Sequence, residues 1–129
     1  MKFEHFALNV PDACAMSRWY VEWLGFQLVC SREEAPYTRF LADESGRVVL
    51  ELYSNMAASI PDYGAQHPWV FHLGVVTDDA RAEQRRLALA GATLVGEENL
   101  PDGTRLTMMR DPWGVAVQLC QRTKAFAGV

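Results

Sequence analysis

Alternating and helical spacings of apolar residues divide the chain into two successive sets of elements in the same order. From Phe3 to Val10, Phe6, Leu8 and Val10 fall on one side and His5, Ala7 and Asn9 on the other, which predicts a strand. Asp12 offers an N-cap, and Met16, Trp19, Tyr20, Trp23 and Leu24 recur at i, i+3, i+4, i+7 and i+8, the stripe of a helix that Gly25 can stop. Phe26 to Ser31, Tyr37 to Ala42 and Arg47 to Tyr53 read as three more strands, with turn signals at Pro36 and at Asp43-Glu44-Ser45-Gly46. The order is βαβββ. It starts again with a strand from Trp69 to Thr77 and a helix from about Asp79 to Ala90 that ends at Gly91. Strands over Thr93 to Glu98, Thr104 to Arg110 and Val115 to Gln121 follow, with turns at Pro101-Asp102-Gly103 and Asp111-Pro112-Trp113-Gly114. The second helix has a weak apolar stripe, so its assignment leans on the repeat.

That repeat is visible residue by residue. At an offset of 67, His5-Phe6-Ala7-Leu8-Asn9-Val10-Pro11-Asp12-Ala13 lies over His72-Leu73-Gly74-Val75-Val76-Thr77-Asp78-Asp79-Ala80, and Leu50-Glu51-Leu52 lies over Val117-Gln118-Leu119. A single module leaves one sheet face open, so two are needed to close a core. The expectation is one α+β domain over residues 1–129, with module 1 at about 1–60 and module 2 at about 67–125, forming a cup-shaped mixed sheet. Ser54 to Pro68 reads as a linker inside it.

Composition narrows the class. Half of the residues are apolar and 22% charged, as in an ordinary soluble globular protein. A net charge of −4, with Lys and Arg scattered, argues against a nucleic-acid surface. No apolar run approaches the ~20 residues of a membrane span, and Met1 to His5 has no signal-peptide layout, so a cytoplasmic protein is expected. Cys14, Cys30 and Cys120 are odd in number and lack CxxC spacing, which predicts reduced thiols in apolar places. Cys120 shares a strand face with Gln118.

The candidate chemistry lies at the matched positions. Strand alternation puts His5, Glu51, His72 and Gln118 each on the face away from its strand's aliphatic row. A twofold relation between modules would bring His5 opposite His72 and Glu51 opposite Gln118. Two imidazoles, one carboxylate and one amide oxygen suit a single divalent transition metal such as Zn, Ni, Co, Mn or Fe. The bland readings are hydrogen-bonded strand histidines and symmetry inherited without function. His67 in the linker reads as a surface residue, the Trp19, Tyr20 and Trp23 stripe as core, and Arg81, Arg85 and Arg86 as a solvated helix face.

The paired modules, Trp19-Tyr20 followed by Leu24-Gly25-Phe26, the Val49-Leu50-Glu51-Leu52 strand and Arg110-Asp111-Pro112-Trp113-Gly114 leading into Val117-Gln118-Leu119 resemble the vicinal oxygen chelate superfamily. That superfamily holds glyoxalase I, extradiol dioxygenases and bleomycin-resistance proteins, and the likeness covers nearly the whole chain. It implies metal binding by His5, Glu51, His72 and position 118, with the ion chelating adjacent substrate oxygens as a Lewis acid. In the family, position 118 is usually Glu. Gln118 can ligate through its amide oxygen but cannot act as a base, which leaves Glu51 as the catalytic base and a site of net charge about +1. The implied function is a metal-dependent lyase or isomerase of the glyoxalase type, acting on a small substrate with adjacent oxygens. Two alternatives stand beside it: a metal-free drug-sequestering protein that uses Tyr37, Tyr53 and Met108, and an Fe(II) extradiol-type dioxygenase with His5, His72 and Glu51 as facial triad. A homodimer is expected, with each pocket built within one chain or across two.

Overall fold

A computed structural model describes residues 1–126. The final three positions of the 1–129 expectation lie outside the described residues. The chain divides into two compact units, Met1–Pro61 and Asp62–Val129. Each has one four-stranded mixed sheet and one helix, so the α+β class and the doubled βαβββ order hold.

In the first unit, β1 (Phe6–Asn9) is followed by α1 (Ala13–Leu24), β2 (Gln27–Ser31), β3 (Arg39–Ala42) and β4 (Val48–Tyr53), with sheet order β1-β4-β3-β2. β1 runs parallel to β4, and the other pairs are antiparallel. One sheet face carries Leu8, Val10, Leu41, Leu50 and Leu52, buried together with Met16 and Tyr20 of the helix. Trp19, Trp23 and Leu24 are only partly buried, so the helix buries a narrower stripe than its sequence spacing predicts. Asp12 caps α1 by accepting from the Ala15 N–H at 2.8 Å, and Gly25 closes it at φ 73°.

The second unit repeats this with β5 (Leu73–Val76), α2 (Ala80–Leu89), β6 (Thr93–Asn99), β7 (Arg105–Arg110) and β8 (Ala116–Gln121), in the order β5-β8-β7-β6. The offset of 67 persists at the level of single hydrogen bonds. Val10 N–H donates to Tyr53 O at 2.8 Å and Thr77 N–H to Cys120 O at 3.2 Å. Ala13 N–H donates to Ser54 Oγ and Ala80 N–H to Gln121 Oε1, at 2.9 and 3.1 Å. Asp79 repeats the cap of Asp12, accepting from Arg81 and Ala82. In α2 only Ala80 and Leu87 are buried, so the helix carries only a weak apolar stripe.

Three expected strands start two or more residues later than their alternation suggests. The β1 ladder begins at Phe6↔Leu50, leaving Phe3 exposed beneath the Arg47 guanidinium at 5.8 Å. Trp69 and Val70 belong to a turn closed by Val70 N–H to His67 O at 2.9 Å, so β5 begins only at Leu73. Tyr37 has φ 57° and donates its N–H to Glu34 O at 2.8 Å across the cis Ala35–Pro36 bond, a turn geometry that no extended strand shares. Cys30 is exposed, contrary to the expectation of apolar surroundings, because β2 is exposed along its whole length at the sheet edge.

The 100–104 turn carries a pH dependence. Asp102 accepts from Thr104 N–H at 2.9 Å and Thr104 Oγ1 at 3.1 Å, bonds that favour the carboxylate and hold its pKa below the ordinary value. A depressed folded pKa stabilises above the unfolded pKa, and that stability is lost as pH falls through the folded value. Asp102→Asn should therefore flatten the acid limb of a plot of denaturation midpoint against pH, below the ordinary Asp pKa of about 3.9. An unaltered limb would show that these bonds form equally in the unfolded chain.

Candidate functional site

The parallel pairing of β1 with β4 sets Ala7 beside Glu51, and strand alternation brings His5 to the same face. His5 Nε2 lies 3.1 Å from Glu51 Oε2, with both side chains mostly shielded, at 26% and 19% exposure. Phe40, opposite Glu51 in the β3–β4 register, meets the His5 ring edge-on at 5.4 Å. The second ring nitrogen, Nδ1, lies 3.1 Å from Glu4 Oε2, yet this contact lacks hydrogen-bond direction and the buried Nδ1 has no hydrogen-bond partner.

The second unit holds the matching pair. Gly74 stands beside Gln118 in the β5–β8 register, and His72 is two residues before Gly74. His72 Nδ1 is 3.0 Å from Pro68 O, a contact in which the carbonyl can only accept, so Nδ1 is the donor and Nε2 is the ring nitrogen left outside it. Gln118 is half-buried opposite Met108. Its Oε1 accepts from the Cys120 thiol at 3.5 Å. Burial pushes the Cys120 thiol up, keeping it protonated as that donor, against the smaller opposite pull of Arg122.

The first unit thus brings one imidazole and one carboxylate together on one face, and the second carries His72 and Gln118 at the matched positions. Within either unit, among the described residues, no three His, Cys, Asp or Glu side chains gather closely enough to hold a metal. The spacing of His5 and Glu51 nevertheless fits two neighbouring ligands of a divalent ion. Ligands bound at about 2.1 Å in adjacent positions lie about 3.0 to 3.4 Å apart, and His5 Nε2 and Glu51 Oε2 are at 3.1 Å.

Beside Glu51 the first unit has a cavity of about 700 Å³, lined by residues 32–36, Thr38, Phe40 and Glu51. The sequence reading missed this wall. The sequence held no length signal for it, since the expected strands leave the equally long connections 32–36 and 99–103; in the structure residues 32–38 separate β2 from β3, whereas the shorter 100–104 separates β6 from β7. Of the aromatic and methionine positions assigned to a binder, Tyr53 shares the Glu51 strand face, Tyr37 sits exposed in the loop, and Met108 is nearly buried beside Gln118.

The comparisons agree with this architecture. A sequence model of the glyoxalase/bleomycin resistance protein/dioxygenase superfamily matches residues 2–119. A probable lactoylglutathione lyase of Vibrio parahaemolyticus is 30% identical, covering 97% of this chain and 94% of the relative. TnmS3, an antibiotic-binding protein from a Streptomyces species, superimposes with a TM-score of 0.72 at 26% identity, over 95% of this chain and 97% of that one. A glyoxalase I variant from Zea mays gives a TM-score of 0.72 at 22% identity and shares the fold, with this chain spanning 46% of its length. With two βαβββ units and a family match over nearly its whole length, the chain belongs to the glyoxalase/bleomycin resistance protein/dioxygenase superfamily.

Proposed function

We propose that the protein is a glyoxalase-type, metal-dependent lyase or isomerase acting on a small substrate with adjacent oxygens. The carrying observation is the His5 Nε2 to Glu51 Oε2 approach of 3.1 Å at matched repeat positions, beside the cavity. The likeness to a probable lactoylglutathione lyase supports the same reading and suggests, as first assay, formation of lactoylglutathione from the hemithioacetal of glutathione and methylglyoxal. In this reading the two modules act as one domain, with His5, Glu51, His72 and Gln118 holding one divalent ion among Zn, Ni, Co, Mn and Fe. When bound, that ion supplies Lewis acidity that lowers the cost of negative charge on the substrate oxygens. His5 and His72 bind as neutral imidazoles, the second oriented by Pro68 O. Glu51 takes the proton from the carbon beside the carbonyl at a carboxylate oxygen and returns it to the neighbouring position. Gln118 orients without accepting a proton, because an amide is no base at neutral pH. The same reading has the protein working as a homodimer in the cytoplasm. Among the described residues no helix is long and apolar enough to cross a membrane.

The test is metal content after purification without added metal. Near-stoichiometric ion in the wild type, lost in His5→Ala and in His72→Ala, is expected. Absence of uptake under any loading condition overturns the enzyme reading. It would favour the second reading, a metal-free small-molecule binder, which draws on the 26% identity with an antibiotic-binding protein. Extradiol-type iron chemistry ranks behind both, since it too requires the ion.

A further inference from the structure

The cavity wall beside Glu51 is held from behind. Register sets Arg39 beside Leu52, whereas its neighbour Phe40 faces Glu51, so Arg39 is on the helix side of the sheet and does not face the cavity. Its side chain is 6% exposed, and a buried guanidinium is tolerated only when its donors are satisfied. Those donors go to the loop that precedes it. They reach the carbonyls of Arg32, Thr38 at 3.2 Å and Tyr37 at 3.5 Å, and the Glu33 carboxylate at 3.2 Å; Cys14 Sγ of α1 completes the set at 3.0 Å. Within the same loop, Tyr37 keeps a left-handed φ of 57°, which a bulky residue holds only where its surroundings over-determine it. The second module supplies an internal control. Thr107, paired with Leu119 as Arg39 is with Leu52, is fully buried with no hydrogen-bond partner for its hydroxyl, and its hairpin closes over the shorter 100–104 turn.

We propose that Arg39 is a positioning residue: its guanidinium fixes the 32–38 loop as the wall of the cavity beside Glu51 and thereby sets which ligands that cavity admits. This rests on the reading that ligand binds a metal held partly by Glu51. Arg39 touches neither ion nor ligand, so its loss should change selectivity and leave metal affinity intact.

The experiment uses Ni²⁺ alone, then acetohydroxamate and benzohydroxamate on the Ni²⁺-loaded protein, with amide exchange as a metal-free readout. Arg39→Met is expected to leave Ni²⁺ affinity within about threefold and to cut the benzohydroxamate-to-acetohydroxamate affinity ratio about tenfold. Exchange of the Arg32 and Tyr37 amides, which bond Thr38 O and Glu34 O, should accelerate about tenfold or more. Arg39→Lys keeps a charge under the loop but not the two-nitrogen fork; it replaces Arg39→Met if that variant does not fold, with shifts in the same directions and of smaller size. An unchanged ratio in Ni²⁺-loaded variants, or unchanged loop exchange, overturns the inference alone. Failure of the wild type to take up Ni²⁺ overturns the metal reading, and the selectivity claim with it.

Discussion

In the proposed glyoxalase-type reaction, Glu51→Gln is expected to lower kcat/KM by about 10³-fold, the scale of losing a positioned general base. Several features concentrate the effect at this residue. Its oxygen is 3.1 Å from His5, its side chain lines the cavity, and its symmetry mate is Gln118, which cannot take its place as a base. The amide keeps an oxygen ligand of nearly the same shape, so metal should remain partly bound and the loss should fall on kcat more than on KM. Gln118→Glu is the informative partner. It restores a second carboxylate and offers an alternative base, at the expense of Lewis acidity as the site's net charge falls from about +1 to about 0. Stopped-flow turnover with metal content measured on the same samples checks both. Full activity in Glu51→Gln would move the base elsewhere.

Gly114→Ala should destabilise the second unit by about 3 kcal/mol, adding the strain of a side chain at positive φ to the cost of overpacking. Gly114 has φ 86°, and an added Cβ would come within 2.6 Å of Gly64 N and 2.8 Å of Gly64 Cα, backbone atoms that no rotamer change can move. The turn is bonded from several sides. Asp111 Oδ1 accepts from Trp113 N–H and Val115 N–H at 2.9 Å, and the Arg110 guanidinium donates to Tyr63 O and Gly114 O at 2.8 Å. Gly46→Ala is the control. Gly46 ends the corresponding β3–β4 turn at φ 77°, but an added Cβ there meets nothing within 4 Å, so only the backbone strain of about 1 kcal/mol is expected. Urea denaturation of the two variants separates the two costs. Equal midpoints would mean that the 114 turn yields without resistance.

The behaviour of particular residues shows how far the sequence could be read. Asp12 was legible as a cap because capping depends on atoms two or three residues away, whereas Asp79, read as the start of the second helix, is its cap. Strand faces were legible for the same reason: alternation is local, and it put His5 and Glu51 on one face as the register confirms. Where strands begin was not legible. Phe3 and Trp69 are as apolar as strand residues should be, yet a strand exists only where a partner supplies the ladder.

The 32–38 wall was illegible for a stronger reason. Pro36 announces a turn, but nothing local says that Arg39, read as an ordinary strand residue, would bury its guanidinium and spend its donors on carbonyls of that loop. Likewise Gly114 reads as one more turn glycine until Gly64, fifty positions earlier, is found against it. Local periodicity and the 67-residue repeat determined the α+β class, the doubled βαβββ order and the matched positions of His5, Glu51, His72 and Gln118, since these depend on spacing along the chain. Only the tertiary structure decided the 3.1 Å approach of His5 to Glu51, the cavity beside them and the clamp behind its wall. Those depend on contacts between residues distant in sequence, where packing and hydrogen-bond satisfaction, rather than spacing, select the geometry.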